Sequence, residues 1–221
     1  MGEQKFGVEH GACEQIAQSI KQVYDQGVQV GVVVGGGNIF RGVQAGSFGF
    51  ARTPADHIGM LATTINGLVL QQSLAALGCE SRVMSALNCD SIVETYTWGH
   101  AMHCLQKGII VIFVGGTGNP YFTTDTAAAL RASEINAEIL LKATKVDGIY
   151  SDDPKTNPSA VKFDTLTYSD VLTKKLNVMD ATAIALCREN RIPIRVFNLF
   201  EKGSILKAVC QNEGGSLIKG E

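Results

Sequence analysis

The amino-acid sequence predicts an α/β fold on a mainly parallel sheet. Two observations carry that expectation. Short, β-branched apolar runs alternate with segments of helical periodicity through nearly all of the 221 residues, the order that right-handed crossovers between parallel strands require. And Ile109 to Val114 is apolar at every position, as a strand buried on both faces of a parallel sheet must be.

Each element has a local reason. Ile16, Ile20, Val23 and Tyr24 recur at helical spacing, so 10–26 reads as a helix ended by Gly27. Five valines mark a strand at 28–34. Thr53-Pro54-Ala55-Asp56 reads as a helix start, with Thr53 as N-cap, Pro54 at N1 and an acid at N3. That helix carries Ile58, Leu61, Ile65, Leu68 and Val69 on one face and runs to about Leu77. A strand at 80–86, a helix at 97–107, the strand at 109–114, a helix at 124–135 and a strand from Glu138 to Ala143 follow. Asp147-Gly148, Asp152-Asp153-Pro154 and Asn157-Pro158 then make a turn-rich loop, longer than ordinary connections and so expected to be functional. Helices near 168–175, 180–190 and 203–211, a strand from Ile192 to Phe197 and a last strand near Gly215 to Ile218 complete the chain. No repeat, low-complexity tract or linker interrupts it.

Composition narrows the function classes. With 45% hydrophobic and 18% charged residues the chain reads as a soluble globular domain. A net charge of −2 supplies no basic footprint for nucleic acid and no polybasic patch for a membrane. Six cysteines form no C-x-x-C pair and no metal spacing, so reduced, buried thiols in a cytoplasmic protein are expected. No apolar run approaches a membrane span, the N-terminus has no apolar leader, and Phe6 stands where a myristoylation signal needs Ser or Thr. His100, His103 and Cys104 have helical metal spacing, but no further ligands accompany them, so a half-exposed helix face is expected and no metal site.

Chemistry concentrates at two strand ends. Gly115 to Asp125, GGTGNPYFTTD, follows the 109–114 strand and leads into a helix. Its glycines allow close backbone approach, and Thr117, Asn119, Thr123, Thr124 and Asp125 crowd polar groups into one segment. The following helix would point free N–H groups at a phosphate. Upstream, Gly35-Gly36-Gly37-Asn38 ends the valine strand and is followed by Phe40-Arg41-Gly42, where Arg41 offers a fork for phosphate. Neither segment is a dinucleotide fingerprint or a P-loop, and either alone fits a plain strand-to-helix connection. Two such turns at strand C-terminal ends point to a ligand crevice and a nucleotide.

GGGNIFRG (35–42), DHIGMLATTINGL (56–68), GTGNPYFTTD (116–125), LKATKVDGIY (141–150), LTYSDVL (166–172) and VMDATA (178–183) stand in the order found in the bacterial UMP kinases of the amino acid kinase superfamily, which the chain resembles over essentially its whole length. The resemblance implies a three-layer α/β/α sandwich forming a single domain of that type, with a UMP-binding lobe at about 1–137 and an ATP-binding lobe at about 138–221. It implies transfer of the γ-phosphoryl group of ATP, with Mg²⁺, to UMP, giving UDP and ADP in pyrimidine nucleotide biosynthesis. It further implies a homohexamer activated by GTP and inhibited by UTP, for which the apolar face of the 54–77 helix offers a contact surface, with wholly intrachain core as the alternative for that stripe.

Residue by residue, Gly36 matches a position beside the UMP phosphate and Gly37 one beside ATP, and Arg41 matches an arginine reaching both phosphates. Asp56 matches the carboxylate that holds the UMP ribose, although helix capping alone explains an acid there. Thr117, Gly118, Asn119, Pro120, Tyr121, Phe122, Thr123 and Thr124 match the segment that surrounds UMP and reads uracil. Thr144, Tyr150 and Asp153 match the ATP contacts, with a simple turn before Pro154 as the alternative for the aspartate. Asp125 and Asp180 match catalytic positions; a helix-start charge and an N-cap explain them equally. Lys142 and Lys145 are further cations without a specific pattern.

The family begins with a strand carrying Lys-x-Ser-Gly-Glu, which is not in these residues; Gly2 to Val8 matches the segment just after it, and Met1 is expected to be an internal methionine. Two rival readings follow: a nucleotide-binding subunit impaired for lack of that lysine, and a carboxylate or carbamate kinase of the same superfamily.

Overall fold

The computed structural model describes residues 7–40, 49–154, 156–176 and 178–221. Its chain divides into two compact units, Met1–Ala127 and Ala128–Glu221.

In the first unit, helix α1 (His10–Tyr24) buries Ala17, Ile20 and Val23, and the turn after it closes at Gly27 with φ of 76°. The strands β1 (Gly31–Val33), β2 (Ser81–Ser85), β3 (Glu94–Thr95) and β4 (Ile110–Val114) pair in the order β1-β4-β2-β3, all parallel. Every residue of β4 is buried, as its uniformly apolar composition requires. The strand expected at 28–34 is shorter, because β1 pairs with β4 alone among the described strands. β3 was not expected: it is two exposed residues with no apolar pattern, held through Met84 and Ser85 of β2.

Helix α2 (Arg52–Ala76) packs on this sheet through Leu70 and Leu74, which share a core with Ile20, Val83, Ile110, Ile112 and Val114. It differs from expectation at its start. The N-cap is Ala51, which makes no side-chain cap, and Thr53 and Pro54 lie inside the first turn. Proline is tolerated there because the first turn leaves its N–H groups unbonded in any case. Asp56 therefore sits beyond the capping position. Helix α3 (Trp98–Gln106) is capped by Thr97, whose side chain accepts from the N–H of His100.

Helix α4 (Thr124–Glu134) carries the chain into the second unit. There β5 (Leu140–Thr144), β8 (Thr165–Leu166), β9 (Ile194–Asn198) and β10 (Ser216–Ile218) pair in the order β5-β9-β10-β8. β5 with β9 and β10 with β8 are parallel, whereas β10 with β9 is antiparallel. The turn-rich loop contains a short antiparallel pair, β6 (Ile149–Tyr150) with β7 (Lys162–Phe163). Helix α5 (Tyr168–Thr173) starts in a capping box between Thr167 and Asp170, and α6 (Ala181–Glu189) is capped by Asp180. Helix α7 (Ser204–Leu206) continues as a π-turn over Lys207–Gln211. The core joins Ile184, Cys187, Ile194, Val196 and Ile218. Burial pushes the Cys187 thiol up to about 12. The expectation of buried thiols holds for Cys79, Cys104 and Cys187; Cys13 and Cys89 are half-buried and Cys210 is exposed. Among the described residues no helix is long and apolar enough to cross a membrane.

Gly67 decides how closely α2 approaches β4. A Cβ added there would stand 2.4 Å from Val114 Cγ1. Gly67→Ala should destabilise the protein by about 1–3 kcal/mol through overpacking. Gly99→Ala, in α3 with nothing within 4 Å of the added carbon, should be neutral or stabilising by up to ~1 kcal/mol. Thermal unfolding of the two variants side by side checks both directions.

Candidate nucleotide site

The chain leaves β4 through Gly115, Gly116 and Gly118, whose φ values of 76°, 60° and 81° lie where glycine is at home and other residues are strained. The Gly115 N–H, buried, donates to Thr63 Oγ1 at 2.7 Å, and that hydroxyl donates to the Met60 carbonyl at 2.6 Å. A side chain of α2 thus holds the exit of β4. The exit of β1 is drawn to the same helix: a Cβ on Gly36 would stand 2.5 Å from the Gly59 carbonyl oxygen and 2.9 Å from Ala62. Asn66 of α2 secures it, donating to the Gly35 carbonyl at 2.7 Å and pairing amide to amide with Asn38 at 2.6 and 3.0 Å.

Between these turns and the first half of α2 lies a cavity of about 580 Å³, within the range of sites for small organic ligands. Gly36, Gly37 and Phe40 line it from the first turn, Arg52, Ala55, Asp56, Gly59, Met60 and Thr63 from α2, and Gly116, Thr117, Asn119, Phe122, Thr123 and Thr124 from the second turn. Of the residues singled out on the sequence, Gly36, Gly37, Asp56, Thr117, Asn119, Phe122, Thr123 and Thr124 therefore meet in one place. Gly118, Pro120 and Tyr121 belong to the same turn without lining the cavity. Arg41 lies outside the described residues.

Asp56 is no cap. Its Oδ2 accepts the Tyr121 N–H at 2.8 Å, and Arg52 Nε stands 3.0 and 2.8 Å from its two oxygens. Thr123 Oγ1 accepts from the N–H groups of Asp125 and Thr126 at 3.1 and 3.2 Å, so it starts α4 and leaves Asp125 in the first turn. Arg52, Thr63 and Asn66 escaped sequence reading. Only Arg52 left a trace, an opposite charge four residues before Asp56.

In the second unit, Thr144 Oγ1 donates to the Val146 carbonyl at 2.6 Å and accepts the Val146 N–H at 3.1 Å. The Tyr150 hydroxyl donates to Asp147 Oδ1 at 2.6 Å, and Lys162 Nζ to Asp147 Oδ2 at 2.9 Å. The Tyr150 hydroxyl first, and then Lys162, hold the Asp147 carboxyl below the usual carboxylate range. Because the folded value lies below the unfolded one, this contribution to stability is complete above the ordinary carboxylate range and is lost as pH falls through the folded value. Asp153 lies in a turn where Asp152 accepts its N–H at 2.8 Å and the amide of Asn157 at 3.0 Å. Asp180 Oδ1 accepts the Ala183 N–H at 2.9 Å. Lys145 is exposed and Lys142 half-buried on β5.

His100 Nε2 stands 2.6 Å from Glu94 Oε2 and 3.8 Å from Cys104 Sγ, on a half-exposed face. Among the described residues no group of three or more His, Cys, Asp or Glu gathers to hold a metal ion.

The sequence profile of the Amino acid kinase family matches residues 4–198. The chain belongs to this family. Within it, a uridylate kinase from Protochlamydia amoebophila (strain UWE25) is 60% identical over 199 residues, 90% of this chain and 79% of that protein. The crystal structure of a UMP kinase from Bacillus anthracis is similar at 40% identity and a TM-score of 0.95, covering 98% of this chain and 90% of the other. That of a UMP kinase from Ureaplasma parvum follows at 37% identity and 0.93, covering 100% and 94%. The mainly parallel α/β fold expected from the sequence is the fold these kinases share.

Proposed function

We propose that this chain is a UMP kinase, transferring the γ-phosphoryl group of ATP to UMP. The observation that carries the reading is the meeting of eight motif residues around one nucleotide-sized cavity, in a chain 60% identical to a uridylate kinase. Phosphoryl transfer asks little covalent chemistry of a protein; it asks for in-line positioning and for positive charge around the moving group. Asp56 receives the ribose hydroxyls, and Thr117 to Thr124 enclose the uracil. The backbone N–H groups of Gly36 and Gly37, with Arg41, receive the phosphates. A cavity of about 580 Å³ suits a nucleotide better than the small acid of a carboxylate or carbamate kinase.

In the C-terminal lobe, about 138–221, Thr144, Tyr150 and Asp153 receive ATP. The Thr144 and Tyr150 hydroxyls are committed to their own loop, so what they offer is a fixed shape and, from Tyr150, a ring face. Asp125 and Asp180 organise the cationic groups of the reaction. Asp180 does so from the start of α6, where its Oδ1 accepts the Ala183 N–H. Mg²⁺ carried on ATP would neutralise the charge that develops on the phosphoryl group. The enzyme serves pyrimidine nucleotide synthesis in the cytoplasm.

Calorimetric titration with UMP, CMP, AMP and GMP tests the substrate. UMP should bind much more tightly than the others, because a site that hydrogen-bonds a base edge rejects a base leaving those groups unpaired. Equal affinity for CMP and UMP would end the uridine assignment.

The proposed homohexamer, with GTP and UTP as effectors, draws support from α2, where Ile58, Leu61 and Ile65 are 37%, 50% and 50% exposed along one stripe. Light scattering should find an assembly larger than a dimer at micromolar concentration. A clean monomer would contradict it, and a hexamer indifferent to GTP would remove the regulatory part alone.

A further inference from the structure

Arg52 belongs to none of the motifs that carry the family resemblance, yet it lines the cavity one helical turn before Asp56. Its Nε spans both carboxylate oxygens of Asp56, at 3.0 and 2.8 Å. Its guanidinium carbon stands 5.2 Å from the centre of the Tyr121 ring. The Tyr121 N–H, in turn, donates to Asp56 Oδ2 at 2.8 Å. The three residues close a ring of contacts between the start of α2 and the turn after β4.

Tyr121 needs such a hold. Its φ of 74° is a backbone that residues with a side chain rarely adopt, and its side chain is 63% exposed, with little packing to impose that conformation. Asp56 is held as well. A carboxylate turns freely about its last torsion, and an arginine nitrogen placed across both oxygens removes that freedom. Among the described residues Oδ1 contacts only Arg52, so it keeps lone pairs for a ligand. The Arg52 side chain is 57% exposed, and an ion pair that open contributes little to folding. Its value lies in the orientation of Asp56.

We propose that Arg52 is the positioning residue for sugar recognition, and that the preference for a ribonucleotide over a 2′-deoxyribonucleotide acceptor depends on it. This rests on the reading of Asp56 as the ribose contact. An ionised carboxylate only accepts hydrogen bonds, so a sugar lacking one hydroxyl leaves a desolvated lone pair unmatched. That cost arises only while the carboxylate is held facing the sugar. With Arg52 removed, the Tyr121 N–H alone holds Asp56 at Oδ2, Oδ1 can pivot about that bond away from the sugar, and the two sugars become more alike.

The test is calorimetric titration of the full chain with UMP and with 2′-deoxy-UMP, for the wild type and for Arg52→Ala, Arg52→Gln, Arg52→Lys and Asp56→Asn. Thermal unfolding of each variant is measured alongside. The wild type should prefer UMP by about tenfold or more, the value of a hydrogen bond to a charged group. Arg52→Ala and Arg52→Gln should bring that ratio most of the way to one, mainly by weakening UMP, with unfolding temperatures close to wild type. Arg52→Lys, whose ammonium still reaches the carboxylate, should keep part of the preference. If Asp56→Asn loses the preference and both Arg52→Ala and Arg52→Gln retain it, Arg52 is an ordinary surface ion pair and the proposal fails while the ribose reading stands. If Asp56→Asn retains the preference, the ribose reading fails and takes the proposal with it.

Discussion

The hydrogen bond from the Gly115 N–H to Thr63 Oγ1 is the contact on which the cavity of the first unit depends. Both groups are buried, and a buried N–H left without a partner costs about 1–3 kcal/mol. The bond fixes the exit of β4 to the middle of α2, and two glycines make room for the close contacts on either side of it. Gly67 lets the helix rest against Val114, and Gly36 lets the β1 exit touch the Gly59 carbonyl. Side chains are missing at the points where helix and strand ends converge. Thr117, Asn119, Thr123 and Thr124 of the second turn line the cavity that results.

The same geometry separates residues that hold the turns from residues that face the cavity. Thr63 and Asn66 use their polar groups on the backbone of the two turns and set their shape. Asp56 and Thr117 to Thr124 stand one layer further out. Asp56 is tied on one side by Arg52 and Tyr121 yet keeps acceptor capacity. A preorganised acceptor of that kind suits phosphoryl transfer, where rate comes from placement more than from reactive side chains. In the second unit, Asp147 plays the holding part for the loop that carries Tyr150.

The legible parts of the fold were those where one principle acts alone. β4 is apolar throughout because it is buried on both faces, α1 follows its periodicity, and α6 starts at the cap that Asp180 offers. The glycine turn after β4 was legible because its backbone angles demand glycine, and the one after β1 because α2 leaves no room for a Cβ at Gly36. Where tertiary contacts override local preference, the sequence misled. Thr53-Pro54 looks like a helix start, but α2 begins earlier, at Arg52. β3, β6 and β7 are two-residue strands held by their neighbours, with no pattern of their own. The antiparallel seat of β10 beside β9 had no local signal either. In the site, Thr63 and Asn66 read as ordinary helix residues because their partners lie 52 and 31 residues away.

UMP affinity in Thr63→Val and Thr63→Ser, measured by calorimetry together with thermal unfolding, tests the central role of that hydroxyl most directly. Valine keeps the shape and removes the acceptor for Gly115; serine keeps the acceptor. The expected result is a valine variant destabilised by about 1–3 kcal/mol that binds UMP at least roughly tenfold more weakly, beside a serine variant close to wild type. A valine variant with undiminished UMP affinity and an unchanged unfolding temperature would contradict it.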